Sequence, residues 1–314
     1  MLIAITGANG FVGRHLSRHL RKTPHKLRLL QREKGKDVFQ IKNFVNYSNW
    51  NLALSNVDIL IHCAAKVHDL KNSERHNFHL YEEINVNLTE TLAKEAVKSK
   101  VKRIIFISSI KVNGESTREG YPFNSSSIPS PKDHYAYSKF KAENILNSIS
   151  KKGNIEIVII RPSLIYGPNV GANFLNLIKL IDLGIPIPFS GIKNKRSLLY
   201  VENLVSFIEE CIENKAAVNK TFLLSDAKPI SISNLIYLIK ESLKKNLIIF
   251  RFPIGFIKIL CSIINKRDNL NKLIGNLELD SSESYRILNW EPPFTTKEGL
   301  LKTVNWYSSE KFNS

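Results

Sequence analysis

Apolar positions along the chain fall into two patterns, short continuous runs and longer stretches spaced at three and four residues. Leu2, Ile3, Ala4 and Ile5 form the first run, which ends in a glycine-rich turn, and Phe11, Val12, Leu16 and Leu20 follow at helical spacing. This predicts strand, tight turn, helix. Further strand patterns occupy 26–33, 57–65, 101–109 and 155–161, the later ones continuously apolar as buried parallel strands are. Between them, Ile84, Leu88, Leu92 and Ala96 line one face of a helix over 81–99. Strands alternating with helices predict an α/β fold, a doubly wound parallel sheet with right-handed crossovers.

The glycines fall at Gly7, Gly10 and Gly13. At those positions the missing Cβ atoms let the backbone turn tightly and approach a pyrophosphate, which would sit on the free N–H groups of the helix N-terminus. Gly7, Asn9, Gly10, Phe11, Val12 and Gly13 are therefore candidate dinucleotide-binding residues. Small residues Ala64 and Ala65, at the end of the third strand pattern, would let the same ligand pass close by. The end of the second strand faces the adenosine ribose in such units, where an acid suits NAD and a base NADP. Gln31 and Arg32 stand there, with no acid before Glu33, so Arg32, with Arg14 beside the loop, points to NADP, and NAD is the alternative.

Tyr135 and Lys139 are four residues apart at the start of a helical segment and so project from one face. A lysine ammonium one turn away favours the phenolate and would make the phenol a usable acid/base. Ser109, at a strand end, can hydrogen-bond the same substrate oxygen. Other features read blandly: His76 and His79 have a spacing compatible with a metal but predict a solvated helix, and Trp290, Trp306 and Tyr307 predict core. Arg196 lies among Lys193 and Lys195 and reads equally as a solvated loop or a ligand contact; Asn173 precedes an apolar run and reads also as a helix cap.

Composition adds limits. A chain of 314 residues that is 43% hydrophobic can bury a substantial core. Its formal charge of +17 admits nucleic acid, an anionic membrane surface or anionic small ligands, but the lysines form no block and no aromatic-interleaved basic platform of the RNA-binding kind is visible. Cys63, Cys211 and Cys261 are scattered and odd in number, which suggests a reducing cytoplasmic setting. The longest apolar stretch, 247–264, is broken by Arg251, Pro253 and Lys258, is too short to span a bilayer, and predicts a buried or surface-lying helix.

Together, Gly7 to Gly13 (GANGFVG), His62 to Ala65 (HCAA), Ile107 to Ser109 (ISS), Tyr135 to Glu143 (YAYSKFKAE), Arg161 to Pro168 (RPSLIYGP), Arg196 to Leu204 (RSLLYVENL) and Asn289 to Tyr307 resemble the short-chain dehydrogenase/reductase superfamily, in its extended, nucleotide-sugar branch. The resemblance implies a Rossmann domain over 1–166 and mainly a smaller substrate lobe over 167–314, with about 195–225 returning to the Rossmann sheet. It implies Ser109, Tyr135 and Lys139 as catalytic triad, Pro162 and Lys139 beside the cofactor, and Arg196 and Asn173 at the diphosphate and nucleotide of a UDP-sugar. The dehydratases of this branch carry an Asp-Glu pair where this chain has Ile110 and Lys111, so water elimination is not expected. The main expectation is reduction of a UDP-4-keto-6-deoxy-2-acetamido sugar in O-antigen or capsule assembly. A UDP-sugar 4-epimerase with bound NAD is the alternative, and a non-catalytic dinucleotide sensor or RNA-binding protein the remote one. A homodimer with no integral membrane segment completes the expectation.

Overall fold

The structure is a computed structural model that describes residues 1–67, 74–153, 155–253, 255–257, 262 and 267–313. Seven parallel strands form its main sheet: β1 (Leu2–Thr6), β2 (Lys26–Gln31), β3 (Val38–Gln40), β4 (Ile59–His62), β5 (Arg103–Ile107), β6 (Glu156–Pro162) and β9 (Thr221–Leu224), in the order β3-β2-β1-β4-β5-β6-β9. The order reverses between β1 and β4, and ligands of doubly wound sheets bind at that switch point, beyond the strand C-termini. Within 195–225, Thr221–Leu224 joins this sheet, whereas β8 (Leu198–Tyr200) pairs with β7 (Leu164–Tyr166) in a separate two-stranded one.

Successive strand residues point to opposite faces, and each face has its own core. Ile3, Ile5 and Ile61 pack on α1 (Phe11–Leu20) and on α7 (Val201–Glu213), through Leu16, Leu20 and Phe207, together with Trp290. Ala4, Leu60 and Phe106 pack on α2 (Trp50–Ala53), α4 (Leu88–Lys98) and α5 (His134–Lys152), through Trp50, Leu92 and Leu146. Ahead of α4, a π-helical turn over Glu82–Asn87 takes the first part of the single helix expected over 81–99, and α3 (Glu74–Tyr81) precedes it.

A third core joins α6 (Ala172–Asp182), α8 (Ile232–Leu243) and the C-terminal helix Thr296–Asn313, with Trp306 and Tyr307 packed at its margin. Asp226 is its polar anchor. Its carboxylate accepts from Tyr166 Oη (3.0 Å), the Tyr200 amide (3.0 Å) and Asn203 Nδ2 (2.8 Å), and burial raises its pKa. Gly299 lets the C-terminal helix lie on this anchor, since a Cβ there would fall 2.6 Å from Tyr166 Oη. Cys63 and Cys211 are free thiols, and burial raises both. Cys261, the side chain of His76 and most of the second half of 247–264 lie outside the described residues. Among the described residues no helix is long and apolar enough to cross a membrane, and no group of three or more metal-ligating side chains forms.

Candidate active site

At the switch point the chain leaves β1 through Gly7, whose φ of +67° is left-handed and whose Cβ would meet the Ala64 backbone at 2.7–2.8 Å. The turn closes with Gly10 N–H on Gly7 O at 2.9 Å. Gly13 has to be glycine for a different reason: a Cβ there would lie 2.1 Å from Gly7 O, so its absence lets α1 sit directly on the turn. Gly10 is exposed, caps α1 without a side-chain bond, and is followed by a first turn free of acids. An anion approaching the loop therefore meets unpaired backbone donors and the positive end of the helix dipole.

Around the loop, Asn9 O accepts from Arg14 Nε at 2.6 Å, Phe11 stacks edge-on to His15 at 5.6 Å, and Val12 packs into the core under the sheet. Ala64 and Ala65 are half-buried beside Gly7, and the Ala64 amide donates to Thr6 Oγ1 (3.2 Å). Pro162 is buried at the end of β6, opposite Leu224. Arg32 is exposed beyond β2, its carbonyl held by Gln40 Nε2 at 2.9 Å.

Ser109 follows β5 and caps a short turn, Ile110–Val112, accepting from the Lys111 amide at 3.3 Å. Its own proton is thereby free to donate to the Tyr135 phenol, and the two side chains are hydrogen-bonded. Tyr135 is the second residue of α5, whose N-cap is Asp133, with Oδ1 accepting from the Ala136 amide at 2.7 Å. Burial raises the phenol above its ordinary pKa, and Ser109 opposes that. Lys139 behaves differently from the sequence expectation. Its ammonium donates to Ile107 O at 2.7 Å and lies 4.3 Å from the Phe106 ring centroid, where burial pushes its pKa down to about 8; the opposing pull on Tyr135 comes from Ser109 instead. Tyr137, two residues on, is exposed.

Three polar networks that sequence reading did not find hold this arrangement. In the first, Thr89 Oγ1 donates to Asn85 O (2.7 Å) and so accepts from His62 Nε2 (2.9 Å). Nδ1 of the same ring then accepts from Thr6 Oγ1 (2.6 Å), and this imidazole stays neutral, its pKa pushed down to about 3 by burial and Lys139. Asn85, on the π-helical turn, reaches Ser138 Oγ on α5 (3.0 Å), which donates to Tyr135 O (2.8 Å). In the second, buried Glu143 takes Arg161 Nη2 at 2.5 Å and the Ser108 hydroxyl, while Arg161 Nη1 donates to Asn113 Oδ1 (3.0 Å); this pins α5 to the ends of β5 and β6. In the third, Lys111 pairs with Asp133 (2.5 Å) and Glu115 (3.4 Å) and stands 5.9 Å from the Tyr135 ring centroid. Lys111 thus sets a cation, not a carboxylate, beside the Tyr135 ring.

The structure brings Gly7, Gly10, Ala64, Ser109, Tyr135 and Lys139 to the C-terminal ends of β1, β4 and β5. Asn173 and Arg196 lie elsewhere, on the C-terminal lobe. Asn173 does not cap α6, whose N-cap is Gly171; it is exposed in the first turn. Arg196 is no solvated loop residue: its backbone pairs with Ile230, Nη1 donates to Gly275 O at 3.1 Å, and burial lowers its pKa.

Comparison with known proteins agrees with this geometry. A UDP-glucose 4-epimerase of Vibrio cholerae is 39% identical over 308 residues, covering 96% of this chain and 94% of its own. An Escherichia coli O157:H7 protein, N-acetyl-alpha-D-glucosaminyl-diphospho-ditrans,octacis-undecaprenol 4-epimerase, is 26% identical over 97% of this chain and 94% of its own. Among solved structures, a UDP-glucose 4-epimerase of Thermotoga maritima superposes with a TM-score of 0.79 at 20% identity, over 99% of this chain and 100% of that one. The UDP-glucuronic acid 4-epimerase of Bacillus cereus in complex with NAD also gives 0.79, at 21% identity and 99% of each chain. The NAD dependent epimerase/dehydratase family matches residues 3–224, and the chain belongs to it, within the extended, nucleotide-sugar branch of the short-chain dehydrogenase/reductases.

Proposed function

We propose that the chain interconverts the C4 epimers of a UDP-activated sugar on a retained NAD. The observation that carries this reading is the 39% identity, over almost the whole chain, to a UDP-glucose 4-epimerase. The loop fits a dinucleotide, because the space a Cβ would take at Gly7 and Gly13 is already used by backbone and Gly10 is open to solvent. Gly7, Asn9, Gly10, Phe11, Val12 and Gly13 would hold the pyrophosphate, with Ala64, Ala65, Pro162 and Lys139 alongside.

Bound there, NAD supplies a hydride acceptor and donor for sugar C4. The chain's own residues handle the proton. Tyr135 takes it from the C4 hydroxyl during oxidation and returns it during reduction, and Ser109 hydrogen-bonds the same oxygen as its charge changes. Ser109, donating to the phenol oxygen, favours the phenolate, the form of Tyr135 that accepts the C4 proton. Arg196 and Asn173 would grip the diphosphate and nucleotide, leaving the hexose to turn over between hydride departure and return.

A second reading, reduction of a UDP-4-keto-6-deoxy-2-acetamido sugar by NADPH, draws on Arg32, exposed beyond β2 with no carboxylate at the ribose position. One experiment separates the two. Purified protein given UDP-glucose or UDP-N-acetylglucosamine and no cofactor should form the C4 epimer. Consumption of NADPH with the 4-keto sugar, and no epimer, would favour the reductase.

A further inference from the structure

The described part of the apolar stretch noted in the sequence does not enter any core cluster beyond Leu247 and the half-buried Ile249. Ile248 is 65% and Phe256 62% exposed, and Phe250 and Phe252 each expose more than a third of their surface. The three rings form an edge-to-face row, with centroids 6.2 Å apart from Phe250 to Phe252 and from Phe252 to Phe256. The neighbouring segment adds to the patch. Ile187 N–H donates to Ile248 O (3.0 Å) and Phe250 N–H to Ile187 O (3.1 Å), which brings up Leu183, 70% exposed, and Ile185, 52% exposed. Large apolar side chains this exposed, on two adjoining segments, mark an interaction surface.

The charge around the patch says what it meets. Lys179 and Lys244 are exposed four residues ahead of Leu183 and Ile248, and exposed Arg251 stands between Phe250 and Phe252 in the chain. Of the acids on the packed elements, Asp182 is neutralised by Lys245 (3.0 Å) and Lys311 (2.6 Å), and Glu241 stands on the last turn of α8. Two copies joined face to face would set these bases against their own images, whereas an anionic lipid surface complements them. An aromatic row with a basic rim, on a chain of formal charge +17, is the composition of a segment that lies in the headgroup layer.

We propose that Leu183, Ile185, Ile248, Phe250, Phe252 and Phe256 dock the protein on an anionic membrane surface, with Lys179, Lys244 and Arg251 contacting lipid headgroups. The docking is independent of which sugar is turned over.

Flotation of the full chain with vesicles tests it. Wild-type protein should float with phosphatidylcholine vesicles containing phosphatidylglycerol, stay behind with phosphatidylcholine alone, and be released by high salt. Phe250→Ser/Phe252→Ser/Phe256→Ser should lower the bound fraction roughly tenfold or more, and Lys244→Glu/Arg251→Glu should lower it to the phosphatidylcholine level. Circular dichroism checks folding, and the single Phe256→Ser, at the most exposed ring, should still halve binding roughly if the triple variant unfolds. Absence of flotation at low salt, or unchanged binding by the serine variants, would overturn the proposal. So would a wild-type dimer that the serine variants convert to monomer, because the occupant would then be a second copy.

Discussion

Lys139 and Tyr135, four residues apart on one helix, are held by different partners: the ammonium donates to Ile107 O at 2.7 Å, while the phenol meets Ser109. Sequence spacing places the two side chains on one face but does not say what each will bond. In the proposed reaction Tyr135 carries the C4 proton, so Tyr135→Phe should lower kcat by about 10²–10⁴. Tyr137→Phe, which alters an exposed ring, should leave it within about threefold. Steady-state rates of both variants check this, and equal losses would remove Tyr135 from the chemistry.

Gly13→Ala should strip the protein of its dinucleotide. A methyl group 2.1 Å from Gly7 O forces α1 off the turn and takes the phosphate loop with it. Protein denatured after purification should release NAD from wild type, at about one per chain, and almost none from the variant. NADP in place of NAD would instead point to Arg32 as the selecting residue.

His62 predicts how stability depends on pH. Its folded pKa, about 3, lies below the ordinary value near 6.5, so below that value the unfolded chain binds the proton and the folded one does not. The stability it contributes is complete above the ordinary value and is lost as pH falls toward the folded one. Between pH 7 and pH 5 the loss should be about 2 kcal/mol. Denaturant unfolding of wild type and His62→Gln at both values measures it; the variant's curve should be flatter by that amount, and equal slopes would contradict the assignment.

Arg196→Ala should raise KM for the UDP-sugar more than it lowers kcat, because the diphosphate is remote from C4 and is held about equally in ground and transition states. The guanidinium also donates to Gly275 O, so a melting curve should accompany the kinetics. An unchanged KM would take Arg196 out of the substrate site.

What the sequence made legible was local. The glycine turn, the strands and the Tyr135–Lys139 spacing follow from periodicity and backbone sterics over a few residues, and the sheet has the expected parallel, doubly wound form. The polar networks were not legible, because Thr6, His62 and Thr89, or Glu143, Arg161 and Asn113, meet only after distant segments pack. A histidine inside the apolar run 57–65 was the available hint of the first. Asp133 could have been read as the cap of α5, since it stands immediately before the helical pattern. Arg196 reads from the sequence equally as a solvated loop or a ligand contact, because the groups it bonds, on Ile230 and Gly275, lie far along the chain.

The central claim is that a hydride leaves C4 of the sugar and returns to it while Tyr135 holds the proton. UDP-glucose deuterated at C4, turned over in ordinary water with no added cofactor, tests it most directly. Both C4 epimers should appear, and mass spectrometry and proton NMR should find the deuterium retained at C4. Absence of the epimer, or replacement of the deuterium by solvent hydrogen, would contradict it.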